Sequence, residues 1–148
     1  MALLKSWGVT PAIVTGHSSG EIAAAFAAGL VSFEAAVAIA YFRGQAVAQL
    51  AGNNSQKGAM LALGVSFEEA STLIEQNTNG YATIAAINSP QSITISGDMS
   101  AIDNIQLIGD AQGLFVRRLK VEVAYHSRHM EQVARSEERR VGKECLCS

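Results

Sequence analysis

The chain has 148 residues, 49% of them hydrophobic and 16% charged, which fits an Ala-rich globular domain with a real core and excludes a disordered polymer. Its formal net charge of −2, with lysines and arginines scattered along the chain, leaves no basic footprint for nucleic acid or an anionic membrane surface. No apolar run reaches the about 18 residues of a membrane span, and Met1-Ala2-Leu3-Leu4-Lys5 is too short for a secretory signal, so a cytoplasmic setting is expected.

In chain order, residues 2–7 read as a short helix and residues 12–15 as a strand. Gly16-His17-Ser18-Ser19-Gly20 follows and opens the small-residue helix Glu21-Ile22-Ala23-Ala24-Ala25-Phe26-Ala27-Ala28, which ends near Gly29. A strand, a G-x-S-x-G turn and a helix make a nucleophile elbow: the two glycines allow a tight bend, the serine hydroxyl stands clear, and the helix N-terminus offers N–H donors. Ser18 is therefore a candidate acyl-bearing nucleophile; the bland alternative is a chance G-x-S-x-G in a loop. Next, Ser32 reads as an N-cap and Glu34 as a first-turn anion for a helix over 33–50, which Gly52-Asn53-Asn54-Ser55 breaks.

From Gly58 the pattern changes. Residues 59–65 read as a buried strand, and Ser66-Phe67-Glu68-Glu69 as a capping box starting a helix over 67–76. Strands over 81–87 and 92–96 flank the turn Asn88-Ser89-Pro90-Gln91 as an antiparallel hairpin. A helix over 100–111 stops at Gly113, and residues 114–123 alternate as a last strand. The order is the split β-α-β-β-α-β unit, so residues 56–121 are expected to form a ferredoxin-like small subdomain. It is inserted in an α/β, hydrolase-like (doubly wound) large subdomain made of residues 1–55 and 122–134. One strand and two helices cannot complete such a sheet, so further strands are expected from outside residues 1–134.

The two cysteines, Cys145 and Cys147, have C-x-C spacing but fall in residues 135–148, which are highly charged and lack apolar periodicity. Arg135-Ser136-Glu137-Glu138-Arg139-Arg140-Val141-Gly142-Lys143-Glu144-Cys145 resembles the translation of a common sequencing adapter, so residues 135–148 are read as a non-native tail. The alternative is a solvated charged terminus. No metal site is assigned.

A serine needs a base to become nucleophilic. Of the three histidines, His126 is the best placed, at the end of the last strand as the chain returns to the larger lobe. His17, inside the elbow, reads as a structural residue or a pocket wall, and His129, after Arg128, as a solvated surface residue. A carboxylate to orient the base is not evident: Asp98 reads as closing a turn, and Asp103 and Asp110 lie on a helical face. The orienting group lies either in sequence beyond this chain or in a backbone carbonyl. Arg43 shares a helical face with Ile39, Ala40, Ala46 and Val47, a face expected to pack inward, where a guanidinium needs an anion. A substrate carboxylate beside the nucleophile and an internal salt bridge to Glu21 satisfy it equally.

Trp7-Gly8-Val9-Thr10-Pro11, Gly16-His17-Ser18-Ser19-Gly20-Glu21, Arg43-Gly44-Gln45, Asn88-Ser89-Pro90 and Ala124-Tyr125-His126-Ser127 together resemble the acyltransferase domain of polyketide synthases. The resemblance covers residues 1 to about 134, is nearest to the fungal iterative highly reducing type, and extends more loosely to malonyl-CoA:acyl-carrier-protein transacylases. It implies a transferase that moves malonyl from CoA to the phosphopantetheine thiol of an acyl carrier protein through acyl-Ser18, alongside ketosynthase and other synthase domains. No bound cofactor is implied. His126 would be the base, Ser19 N–H an oxyanion donor and Arg43 the clamp for the malonyl carboxylate. His17 and Tyr125 would line the pocket, Tyr125 favouring malonyl over bulkier extenders. In the family a second oxyanion donor lies upstream of the elbow and a carbonyl that orients the histidine lies downstream, both outside this chain. A serine esterase or thioesterase of the α/β-hydrolase class, or an inactive fragment, are the competing readings.

Overall fold

Residues 1–52, 57–131 and 133–134 are described by the computed structural model, and they divide into two compact units that meet between Gln45 and Ala46. The tail read as non-native, residues 135–148, and most of the break after the long helix, residues 53–56, lie outside the described residues.

The first unit begins with helix α1 (Ala2–Ser6). Its end is a Schellman motif: Gly8 holds φ +76, Val9 N reaches Leu4 O at 2.9 Å and Gly8 N reaches Lys5 O at 3.0 Å. Helix α2 (Gly20–Ala27) ends the same way, with Leu30 N on Ala25 O at 2.9 Å. Helix α3 (Phe33–Gly52) starts where expected, Ser32 Oγ accepting from Ala35 N at 3.1 Å, and it continues past the unit boundary. Phe26 and Phe33 meet edge to face at 5.7 Å across the α2–α3 turn. The strand expected over 12–15 is not formed: these residues are irregular, and Ile13 is 88% exposed. A strand exists only through bonds to a neighbouring strand, and among the described residues nothing pairs with this segment.

The second unit is built on a four-stranded antiparallel sheet in the order β2-β3-β1-β4, made from β1 (Gly58–Leu63), β2 (Ala82–Ser89), β3 (Ser92–Asp98) and β4 (Val116–Arg118). Helix α4 (Phe67–Gln76) joins β1 to β2, and helix α5 (Met99–Ala111) joins β3 to β4. The capping box at α4 is complete: Glu69 N donates to Ser66 Oγ, and Ser66 N donates to the Glu69 carboxylate at 2.8 Å. Leu61, Leu63, Ile93 and Ile95 point to one face of the sheet, where Leu73, Ile102 and Ile105 of α4 and α5 cover them. The opposite face carries Met60, Thr94 and Ser96, all buried, and Asn88 Nδ2 reaches Thr94 Oγ1 at 3.1 Å.

Two local expectations shift. Asn88 and Ser89 belong to β2 rather than the turn, because the register slips between Ile84 and Ala86 and again between Ile87 and Ser89, leaving Pro90-Gln91 as a two-residue loop. The last strand is three residues long instead of spanning 114–123. It pairs with Leu61, Ala62 and Leu63, adds one bond from Leu119 N to Met60 O at 3.0 Å, and then leaves β1. The chain instead lays Ala124 against Gly58, where a Cβ would stand 2.5 Å from Ala124 N.

Candidate active site

In the first unit the elbow bends at Ser18, which holds φ +54 in the left-handed region. Its turn is closed by Gly20 N on His17 O at 3.0 Å and Glu21 N on Ser18 O at 3.1 Å; Ser19 N–H donates in neither and sits at the N-cap of α2. The steric demand on glycine falls on one residue. A Cβ at Gly16 would lie 2.4 Å from Gly20 C and 2.5 Å from Glu21 N, whereas a Cβ at Gly20 would meet nothing within 4 Å. So Gly16 must be glycine for the chain to fold back on the helix start, and the expectation that both glycines make the bend holds for Gly16 alone. His17, Ser18 and Ser19 are all exposed. Arg43 is half-buried on α3, but the apolar face predicted around it is only partly covered: Ala46 is buried and Val47 half-buried, while Ile39 and Ala40 are exposed.

In the second unit, Tyr125 and His126 lie in the loop after β4, Tyr125 half-buried and His126 exposed. His126 holds φ +59. Among the described residues the only non-glycine residues with positive φ are Ser18 and His126, the two to which the sequence assigns nucleophile and base. Asp103 pairs with Arg118 and is exposed, in line with its reading as a structural residue.

His129 departs from the sequence expectation. It is 4% exposed, not solvated, and its Nε2 lies 2.7 Å from Asp98 Oδ1. The 3₁₀ turn Arg128–Met130 separates adjacent side chains by about a third of a turn, so Arg128 faces out while His129 faces in. Asp98 does precede α5 as expected, yet its side chain makes no capping bond there; it accepts Tyr81 N–H at 2.9 Å as well as His129. Burial would raise the Asp98 carboxyl, but the Tyr81 N–H, His129 and Arg128 outweigh it and hold the group below the usual carboxylate range. Among the described residues no group of histidine, cysteine, aspartate or glutamate side chains has the arrangement of a metal site, and no helix is long and apolar enough to cross a membrane.

The first unit thus holds an elbow serine in left-handed geometry at a helix start and an arginine on the following helix, and the second holds a histidine in left-handed geometry after its β-α-β-β-α-β order. The chain belongs to the acyl transferase domain family, which it matches over residues 1–145. It is 69% identical over 138 residues to the highly reducing polyketide synthase PKS2 of Leptosphaeria maculans, and 65% identical over 133 residues to the highly reducing polyketide synthase Preu5 of Preussia isomera. Those matches cover 92% and 89% of this chain but only 5% of the length of each relative. Among solved structures it resembles the acyltransferase domain from module 8 of the salinomycin polyketide synthase, at 33% identity and TM-score 0.79 over 90% of this chain and 30% of that one. It also resembles the malonyl CoA-acyl carrier protein transacylase of Clostridium perfringens, at 26% identity and TM-score 0.83 over 96% of this chain and 45% of that one.

Proposed function

We propose that this chain carries the acyl-loading chemistry of a polyketide synthase in the cytoplasm: malonyl passes from CoA to Ser18 and then to the phosphopantetheine thiol of an acyl carrier protein. The observation that carries the reading is the left-handed backbone at Ser18 and at His126, since strain of this kind persists where a site requires it. His126 takes the Ser18 proton as Oγ attacks the thioester carbonyl. The tetrahedral oxyanion is met by Ser19 N–H, and His126 returns the proton to the departing CoA sulfur. In the second half the carrier thiol gives its proton to His126 and attacks acyl-Ser18, whose Oγ leaves with that proton. Arg43 pairs bidentately with the malonyl carboxylate. His17 and Tyr125 line the acyl pocket, the bulk of Tyr125 favouring malonyl over branched extenders by the about 1–3 kcal/mol that one methyl contributes. Residues 56–121 serve as a ferredoxin-like lobe within a hydrolase-like lobe drawn from residues 1–55 and 122–134, and ketosynthase and other synthase domains are the neighbours.

The test is intact mass spectrometry of the full-length parent incubated with malonyl-CoA. Wild type is expected to gain one malonyl adduct that a carrier protein removes. Ser18→Ala is expected to gain none, and Arg43→Ala to lose its preference for malonyl over acetyl. Hydrolysis of the thioester without carrier-dependent transfer would point to an esterase and sink the reading.

A further inference from the structure

The loop that carries His126 is held on both sides. Upstream, Ala124 is fully buried and packs on β1 at Gly58. Downstream, Ser127 Oγ donates to Ala124 O at 2.6 Å and accepts from His129 N at 3.2 Å, which closes the bend around His126. His129 then fixes that bend to the sheet through Asp98 at the end of β3. An ionised carboxylate only accepts, so the His129 ring presents Nε2–H to Asp98 Oδ1. The other carboxylate oxygen is committed too: Oδ2 accepts Tyr81 N–H at 2.9 Å and lies 3.8 Å from Arg128 Nη2. Arg128 in turn covers the Tyr81 ring, its guanidinium carbon 4.1 Å from the ring centroid. Asp98 thereby joins the start of β2, the end of β3 and the His126 loop.

The backbone at His126 needs such a clamp. A left-handed non-glycine residue is disfavoured and persists only where its surroundings over-determine it. Three residues of chain span at most about 10 Å, so a ring fixed at residue 129 confines residue 126 to a small volume. A misplacement of about 1 Å in an acid–base group lowers a rate by about 100-fold.

We infer that Asp98 and His129 are positioning residues, a hydrogen-bonded pair that holds the His126 loop in its left-handed conformation. This rests on the role proposed for His126 above. A pair that merely stabilised the sheet would affect every activity of the chain alike. A positioning pair acts only through His126.

The experiment is single-turnover loading of the full-length parent with malonyl-CoA, acyl-Ser18 being followed by quenched-flow mass spectrometry. His129→Phe keeps a ring and removes the donor; it is expected to lower the saturating rate constant about 10- to 100-fold while KM stays unchanged. His129→Gln restores a donor and is expected to recover most of that loss. Asp98→Asn offers one acceptor oxygen to two donors, Tyr81 N–H and His129 Nε2–H, and is expected to slow loading in the same way; it carries the comparison by itself if His129→Phe does not fold. In a His126→Ala background neither change is expected to have any further effect. Wild-type loading rates in both His129→Phe and Asp98→Asn, or an equal fold-loss with and without His126, would overturn the inference. A His126→Ala variant that loads at the wild-type rate would instead bring down the role assigned to His126.

Discussion

Ser18 carries a side chain on a backbone whose φ of +54 is disfavoured for every residue except glycine and, less so, asparagine and aspartate. The left-handed turn stores strain at the residue proposed to carry the acyl group. The strain is measurable. Ser18→Ala and Ser18→Gly both remove the hydroxyl, but only glycine relaxes the backbone, so Ser18→Gly is expected to be more stable than Ser18→Ala by about 1 kcal/mol. Native-state hydrogen exchange of the α2 amides in the full-length parent reads this difference; equal protection in the two variants would mean that the turn carries no strain. Sequence could point to Ser18 because G-x-S-x-G is a local pattern. It could not show that Gly16 alone is sterically required, since that follows from the approach of Gly20 C and Glu21 N across the turn.

At the scale of elements, what was legible is what local chemistry fixes. Helix α4 begins and ends where Ser66-Phe67-Glu68-Glu69 and its apolar period place it, because both bonds of the capping box lie within four consecutive residues. Ser66→Ala breaks the side-chain half of that box and is expected to cost about 1 kcal/mol. The readout is faster exchange of the first-turn amides of α4, with those of β1 and β3 much less affected. Where an element depends on a partner, sequence was a poorer guide. Residues 12–15 have the apolar character of a strand but no neighbour to bond among the described residues. The alternation over 114–123 yields only Val116–Arg118, because β1 offers this edge three paired positions before the chain turns to pack Ala124 on Gly58. The Asn88 shift has a similar origin: the two register slips in β2 turn its side chain to Thr94, a cross-strand fact invisible in a single strand's pattern.

At the scale of the whole molecule, the Asp98 cluster is the feature that sequence could not assemble, since its members lie at 81, 98, 128 and 129 and meet only after the sheet has formed. In sequence His129 reads as solvated because it follows Arg128, and the pattern of a short 3₁₀ turn is too brief to assign an inward face. The cluster gives the chain a defined acid response. Asp98 is held below its ordinary value of 3.8 because Tyr81 N–H, His129 and Arg128 favour the ionised form against the cost of burial. A carboxyl lower in the folded than in the unfolded state contributes stability that is fully present above the unfolded value and is lost as pH falls through the folded one. The stability difference between wild type and Asp98→Asn is therefore expected to be flat from neutral pH down to about 4 and to shrink below it, as both chains come to carry an uncharged group at this position. Hydrogen exchange of the β2 and β3 amides across an acid pH series of the full-length parent follows this difference. A gap between the two proteins that stays constant well below the ordinary carboxylate range would show that the carboxylate charge at Asp98 does not hold the strand ends to the His126 loop.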